Sequence, residues 1–213
     1  METFRNCNGK PILFTMVKAI QANKAYLGQV DGLIGDGDHG MNMNKGFSVF
    51  AERFQNKELG FADGLEELGL ILLNEIGGSM GPIYGTVFMD AAEAGDDCDE
   101  IGIAEFTAML EAGLMGLYGI VEARVGDKTL VDTLVPAVNS LKESKQQGEQ
   151  FDEALKKMIT QAEAGRDSTK ELTARFGRSS RLGERSRGVL DAGAVSCCII
   201  LSAMADGIIN ILK

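Results

Sequence analysis

The sequence predicts an all-α protein built as a single bundle or barrel of eight helices. Three observations carry this expectation. Only three prolines occur in 213 residues. Long segments rich in Ala, Leu, Met, Glu and Lys place apolar residues every three or four positions, and no alternating strand pattern competes with them. Gly-rich breaks divide these segments into pieces of ordinary helix length.

Taken in order, helices are expected near 10–28 and 41–56, separated by GQVDGLIGDGDHG at 28–40. The next pair, near 61–77 and 82–94, flanks GGSMG at 77–81, and Pro82 suits a first helical turn, where its missing N–H costs nothing. A helix near 103–121 leads through VGD at 125–127 to one near 129–146, which Pro136 should kink. The last two, near 151–168 and 191–212, are joined by a long stretch at about 170–190. Short connections imply antiparallel neighbours, and no repeat or linker marks a second domain, so residues 1–213 read as one domain.

At this length the chain can bury roughly 70% of its unfolded surface and needs no outside support. Its 31 Asp and Glu outnumber 21 Lys and Arg, a net charge of −10 that disfavours nucleic acid and anionic membranes as partners. A phosphate ligand then requires a metal to reverse the local field. Cys7, Cys98, Cys197 and Cys198 lack metal-site spacing, and neither a basic leader nor a 20-residue uncharged apolar run is present. Reduced thiols in a cytoplasmic protein are the expectation.

The sharpest chemical signal is Asp31-Gly32-Leu33-Ile34-Gly35-Asp36-Gly37-Asp38-His39-Gly40. Apolar packing does not need three carboxylates among four glycines, and close anions raise one another's proton affinity unless a cation holds them ionised. Hard oxygen ligands suit magnesium or calcium. Magnesium shares its coordination with phosphates, and the EF-hand spacing is absent. The competing reading is a solvated turn, because Asp-Gly pairs are common turn formers. His39, the one histidine, is either a phosphate or nucleotide contact or an ordinary residue.

No Walker A sequence is present, since Asp127 interrupts Gly126-Asp127-Lys128-Thr129, and no G-x-S-x-G elbow or histidine cluster supports a hydrolase or zinc site. Ser79, among Gly77, Gly78 and Gly81 before a helix, could meet phosphate through backbone N–H groups, or the segment is only a tight helix–helix turn. Arg175, Arg178, Arg181, Arg185 and Arg187 form a basic cluster that either faces a partner or offsets the acidic loop. Lys128 reads as a lid residue or a solvated lysine.

The run IGDGDHGMNMNKGF at 34–47 resembles the signature of the nucleotide-binding L subunit of dihydroxyacetone kinases. GGSMGPIYGTVF at 77–88, VGDKTLVD at 125–132 and GRSSRLGERSRGVLDAGAVS at 177–196 resemble further blocks of that family in order and spacing. The resemblance implies an eight-helix antiparallel up-and-down barrel, with ADP or ATP and two Mg2+ ions capping one end. It places metal ligation, and with it catalysis, on Asp31, Asp36 and Asp38. Nucleotide contacts carry over to His39, Gly40, Met41, Asn42, Ser79, Met80, Leu130, Arg178, Asp191, Ala192 and Gly193.

The implied activity is phosphoryl transfer from magnesium-bound nucleotide to a small ketose held by a separate K subunit. In one branch of the family a phosphotransferase-system protein rephosphorylates bound ADP, and in the other ATP exchanges freely. A kinase for a tetrose and a non-catalytic nucleotide-binding regulator are the alternatives, and a homodimer is compatible with either. The chain departs from the family pattern in placing Ser79 one position earlier than usual, in Leu130 for Met, in Ala192 for Pro, and in Val121 and Glu122 where glycine is usual.

Overall fold

The computed structural model describes residues 2–212. The first helix, α1 (Lys10–Ile34), buries Ile12, Leu13, Met16, Val17, Ile20, Leu27, Val30 and Ile34, a spacing that keeps one face against the core. It is followed by α2 (His39–Phe54), α3 (Phe61–Glu75), α4 (Met80–Gly95), α5 (Ile103–Ile120), α6 (Val131–Gln147), α7 (Phe151–Ser168) and α8 (Ala192–Ile209). These eight α-helices, counted among the described residues, match the expected set. Each packs against its neighbours in sequence, and α8 returns to α1, so the ring closes.

Two boundaries differ from expectation at the acidic loop. α1 continues through Gly28 and Gly32 to Ile34, and α2 begins at His39, not at 41. Here the glycines are packing surfaces rather than helix breakers. A Cβ on Gly28 would lie 3.4 Å from the Gly37 carbonyl oxygen, and one on Gly40 would collide with the Lys24 carbonyl and sit 2.8 Å from the Gly28 nitrogen. Small residues on both helices bring the α1 and α2 backbones together.

Pro136 does not break α6, which runs uninterrupted from Val131 to Gln147. Pro136 cannot donate to the Asp132 carbonyl one turn earlier. Gly165 of α7 packs hard against that oxygen, where any Cβ would collide.

Two short strands, β1 (Phe4–Arg5) and β2 (Glu100–Ile101), pair antiparallel at one end of the ring. There the Asn6 carboxamide oxygen accepts from Phe61 and Ala62 N–H at 3.0 and 2.9 Å, capping α3, while its NH2 donates to the Gly95 and Cys98 carbonyls. Phe4, Phe61, Phe106 and Phe151 stack in a chain with centroids 5.5, 6.5 and 5.7 Å apart, filling this end with apolar surface.

α5 and α8 both have the length and hydropathy of a short membrane span, although Glu105 and Glu111 interrupt the first and Asp206 the second, so neither is the uncharged 20-residue run whose absence was expected. In α8, 72% of that window is buried within the bundle, which accounts for its apolar composition.

Candidate functional site

Up-and-down topology puts the connections 35–38, 76–79, 121–130 and 169–191 at the end opposite the phenylalanine chain. The four unusual sequence blocks therefore meet there, and so do the N-termini of α2, α4, α6 and α8. Each N-terminus carries a partial positive charge. The N-cap residues of α2, α4 and α6, which are Asp38, Ser79 and Leu130, make no side-chain capping bond to their own helices.

Asp31 stands on the last turn of α1, and Asp36 and Asp38 lie on the turn that follows. Gly37 takes φ +78°, which reverses the chain, and Gly35 passes so close to Asp31 that a Cβ would strike its carboxylate. As a result, one carboxylate oxygen from each aspartate lies within 4.8 Å of the others. The span across one magnesium coordination sphere is about 4.2 Å. The turn is thus close to ligating geometry, and the all-oxygen donor set fits a hard divalent cation.

Arg178 pairs with Asp36, reaching across from the 3-10 segment Arg178–Ser186, and is itself exposed. Among the described residues it is the one cation paired with the three carboxylates, which leaves the cluster net negative. The connection bearing it is held by its own contacts. Buried Ser186 accepts from Ala174 N–H at 2.9 Å and donates to the Gly183 carbonyl at 2.6 Å, and Gly188 N–H bonds the Lys170 carbonyl at 2.8 Å.

The His39 backbone N–H donates to Asp31 at 3.3 Å, while its ring is buried with Nε2 2.8 Å from Ser196 Oγ. Ser196 Oγ also lies 2.6 Å from Tyr84 Oη, and both hydroxyls reach the Gly193 carbonyl. Burial pushes the His39 pKa down to about 4, with the Asp31 charge opposing, so the ring is neutral at physiological pH. This network ties α2, α4 and α8 together. Ser196 and Tyr84 lie inside the sequence blocks but were not singled out, because two hydroxyls in apolar helices carry no local signature.

The other anticipated contact residues divide into two groups. Met41 and Ser79 are exposed at the rim and Asn42 is half-buried. Gly40 is buried against α1, Met80 packs on the core, and Ala192 and Leu130 are buried. Gly193 sits beside Leu130, where a Cβ would lie 3.5 Å from the Leu130 nitrogen, so the third and fourth blocks touch.

Asp191 caps α8 by accepting from Ala194 N–H at 2.8 Å. Burial raises its pKa to about 6, against the pull of the Ala194 bond and of Lys128. Between the unfolded value of about 3.9 and this folded value, the folded state binds the extra proton. Its contribution to stability therefore falls as pH rises from about 4 to 6. Asparagine caps equally well. Asp191→Asn should accordingly gain stability relative to the parent as pH rises through that window, and then plateau, in urea titrations without ligand.

Lys128, expected as a lid residue or a solvated lysine, is instead 1% exposed and lies inside the protein. The DAK2 domain profile matches residues 33–206. The chain is 39% identical, over 84% of its length and 86% of the relative's, to the ADP-binding subunit DhaL of a PEP-dependent dihydroxyacetone kinase from Escherichia coli K12. It is 37% identical to such a subunit from Listeria innocua, covering 87% of the chain and 88% of the relative. It is 31% identical to an L-erythrulose kinase of Pectobacterium atrosepticum, of which it spans 32%. The dihydroxyacetone kinase from C. freundii, solved with AMP-PNP and Mg2+, superposes with a TM-score of 0.67 at 22% identity, over 92% of this chain and 33% of that one, a likeness of fold.

Proposed function

Because this chain belongs to the DAK2 domain family, we propose that it is the ADP/ATP-binding, phosphoryl-transferring subunit of a dihydroxyacetone kinase, coupled to the phosphotransferase system. The convergence of Asp31, Asp36 and Asp38 at the end of the ring that also carries four helix N-termini supports this reading. Nucleotide with magnesium belongs at this end. Two ions, held jointly by the three aspartates, are the finer form of the proposal.

Asp31, Asp36 and Asp38 would hold magnesium, which when bound would supply the charge neutralisation that phosphoryl transfer from a nucleotide needs. The protein's part is positional. Asp31, Asp36 and Asp38 would anchor the metal, and N–H groups at the starts of α2 and α4 would be the donors offered to phosphate oxygens. Arg178, now on Asp36, is placed to move onto a phosphate oxygen and stabilise developing charge. Leu130 and Met80 offer apolar surface to the base, with Met41 at the rim. No side chain forms a covalent intermediate.

The acceptor is a small ketose held by a separate K subunit that docks over the exposed rim, and the phosphoryl donor protein uses the same mouth to recharge ADP. The four free cysteines, two of them buried, support a cytoplasmic setting. The experiment is to denature freshly purified protein and identify the released nucleotide by mass spectrometry, with and without prior EDTA. Near-stoichiometric ADP that EDTA removes is expected. No nucleotide, and no binding of added Mg-ADP or Mg-ATP, would end this reading. Arg178→Ala should fold normally yet transfer phosphate to dihydroxyacetone at least about tenfold more slowly in assays with the K subunit.

A further inference from the structure

Lys128 has the most unusual surroundings of any charged residue described. It is the one non-glycine residue among them with positive φ, 61°. Its side chain is buried, and Nζ donates to two main-chain carbonyls, Thr169 and, at 2.5 Å, Val189. Those carbonyls bracket the long connection that carries Arg178 and ends at Asp191. Asp191, Asp132 and Glu171 lie close enough to favour its charge against burial. A left-handed turn is easier for glycine, and a buried ammonium is costly unless compensated, so both backbone and burial are spent on placing this one charge.

We propose that Lys128 is a positioning residue that pins both ends of the 169–191 connection to the N-terminus of α6, and thereby sets the nucleotide-facing side of the site. The contacts around it run in that direction. Thr169 Oγ1, beside the pinned carbonyl, accepts from Asp191 N–H at 3.1 Å, and Asp191 caps α8. Arg175 N–H bonds the Asp127 carbonyl at 3.2 Å, and its guanidinium pairs with the Asp127 carboxylate at 3.3 Å. Asp132 accepts from Gly126 and Thr129 N–H, holding the turn on which Lys128 sits. Without the ammonium, one buried and one half-buried carbonyl lose their donor, and the connection is free to lift away from the start of α6 and from Asp36.

The inference rests on the nucleotide reading for its consequence, though the pinning itself can be tested without nucleotide. Lys128→Met and Lys128→Gly both remove the ammonium, and glycine also relaxes the turn, so the second variant covers a failure of the first to fold. Amide exchange in ligand-free protein should quicken at least about tenfold at Asp191 and Ala194. Mg-ADP affinity by calorimetry should fall at least about tenfold, with Mn2+ binding at the aspartates unchanged. Added n-butylammonium should restore affinity to Lys128→Gly, and 1-butanol should not, a distinction that a purely space-filling role would not produce. Unchanged exchange, undiminished affinity, or equal rescue by the alcohol would overturn the proposal. If the parent protein bound no Mg-ADP, the nucleotide reading would fall while the exchange data still judged the pinning.

Discussion

Asp36→Asn should release the nucleotide. The substitution keeps size and hydrogen bonding but removes one of three negative charges that converge within 4.8 Å. Loss of residues that merely orient metal ligands typically costs 10–100-fold in metal affinity, so loss of a direct ligand should cost at least about 100-fold. Asp36 is exposed on a turn, so the melting temperature of the ligand-free protein should change little. Calorimetric titration with Mg-ADP is the measurement, and full affinity in the variant would remove Asp36 from the metal site. Arg178 would lose its partner in the same variant. Comparison with Arg178→Ala therefore separates loss of the metal ligand from loss of the ion pair.

The largest effect on stability should come from a single methyl group at Gly40. Its Cβ would meet the Lys24 carbonyl, the Gly28 nitrogen at 2.8 Å and Leu27 Cβ at 3.1 Å. The first two are backbone atoms and cannot turn aside, so α1 and α2 must separate. Overpacking of this kind costs about 3 kcal/mol, or a fall in melting temperature on the order of 10 °C for a domain of this size. The separation would also carry Asp38 and His39 away from Asp31. Gly119 supplies the control. It lies on the exposed face of α5 with nothing near a built Cβ, so Gly119→Ala should be neutral or stabilising by about 0.5–1 kcal/mol. Equal melting temperatures for the two variants would contradict the close packing of α1 on α2.

The helices were legible because apolar periodicity is a local property. All eight appear near their expected places, as does the turn that gathers Asp31, Asp36 and Asp38 within a few residues of chain. Gly28 and Gly32 misled because glycine marks either a helix end or a close helix contact, and only the position of Gly37 and Gly40 on the neighbouring backbone distinguishes them. Pro136 was legible as a residue within a helix, but the partner of the Asp132 carbonyl that it cannot bond, Gly165 on another helix, was not. Lys128 was beyond local reading altogether. Its two acceptors lie 41 and 61 residues further along the chain, and nothing near it in sequence announces that carbonyls will surround it. Pairing of Arg178 with Asp36 is equally remote, and only the family resemblance pointed to Arg178 as a site residue.

An even number of antiparallel helices also fixes where the chain can be attached. α1 begins and α8 ends on the side of β1, β2 and the phenylalanine chain, a full helix length from the aspartates. Anything joined at either terminus is therefore held behind the barrel, away from the end that carries the three aspartates. The erythrulose kinases that this chain resembles are about three times its length, so the same unit serves there as part of a larger polypeptide. In this geometry, modularity follows from the parity of the helices: a tether of any length can be added without a loop ever crossing the site.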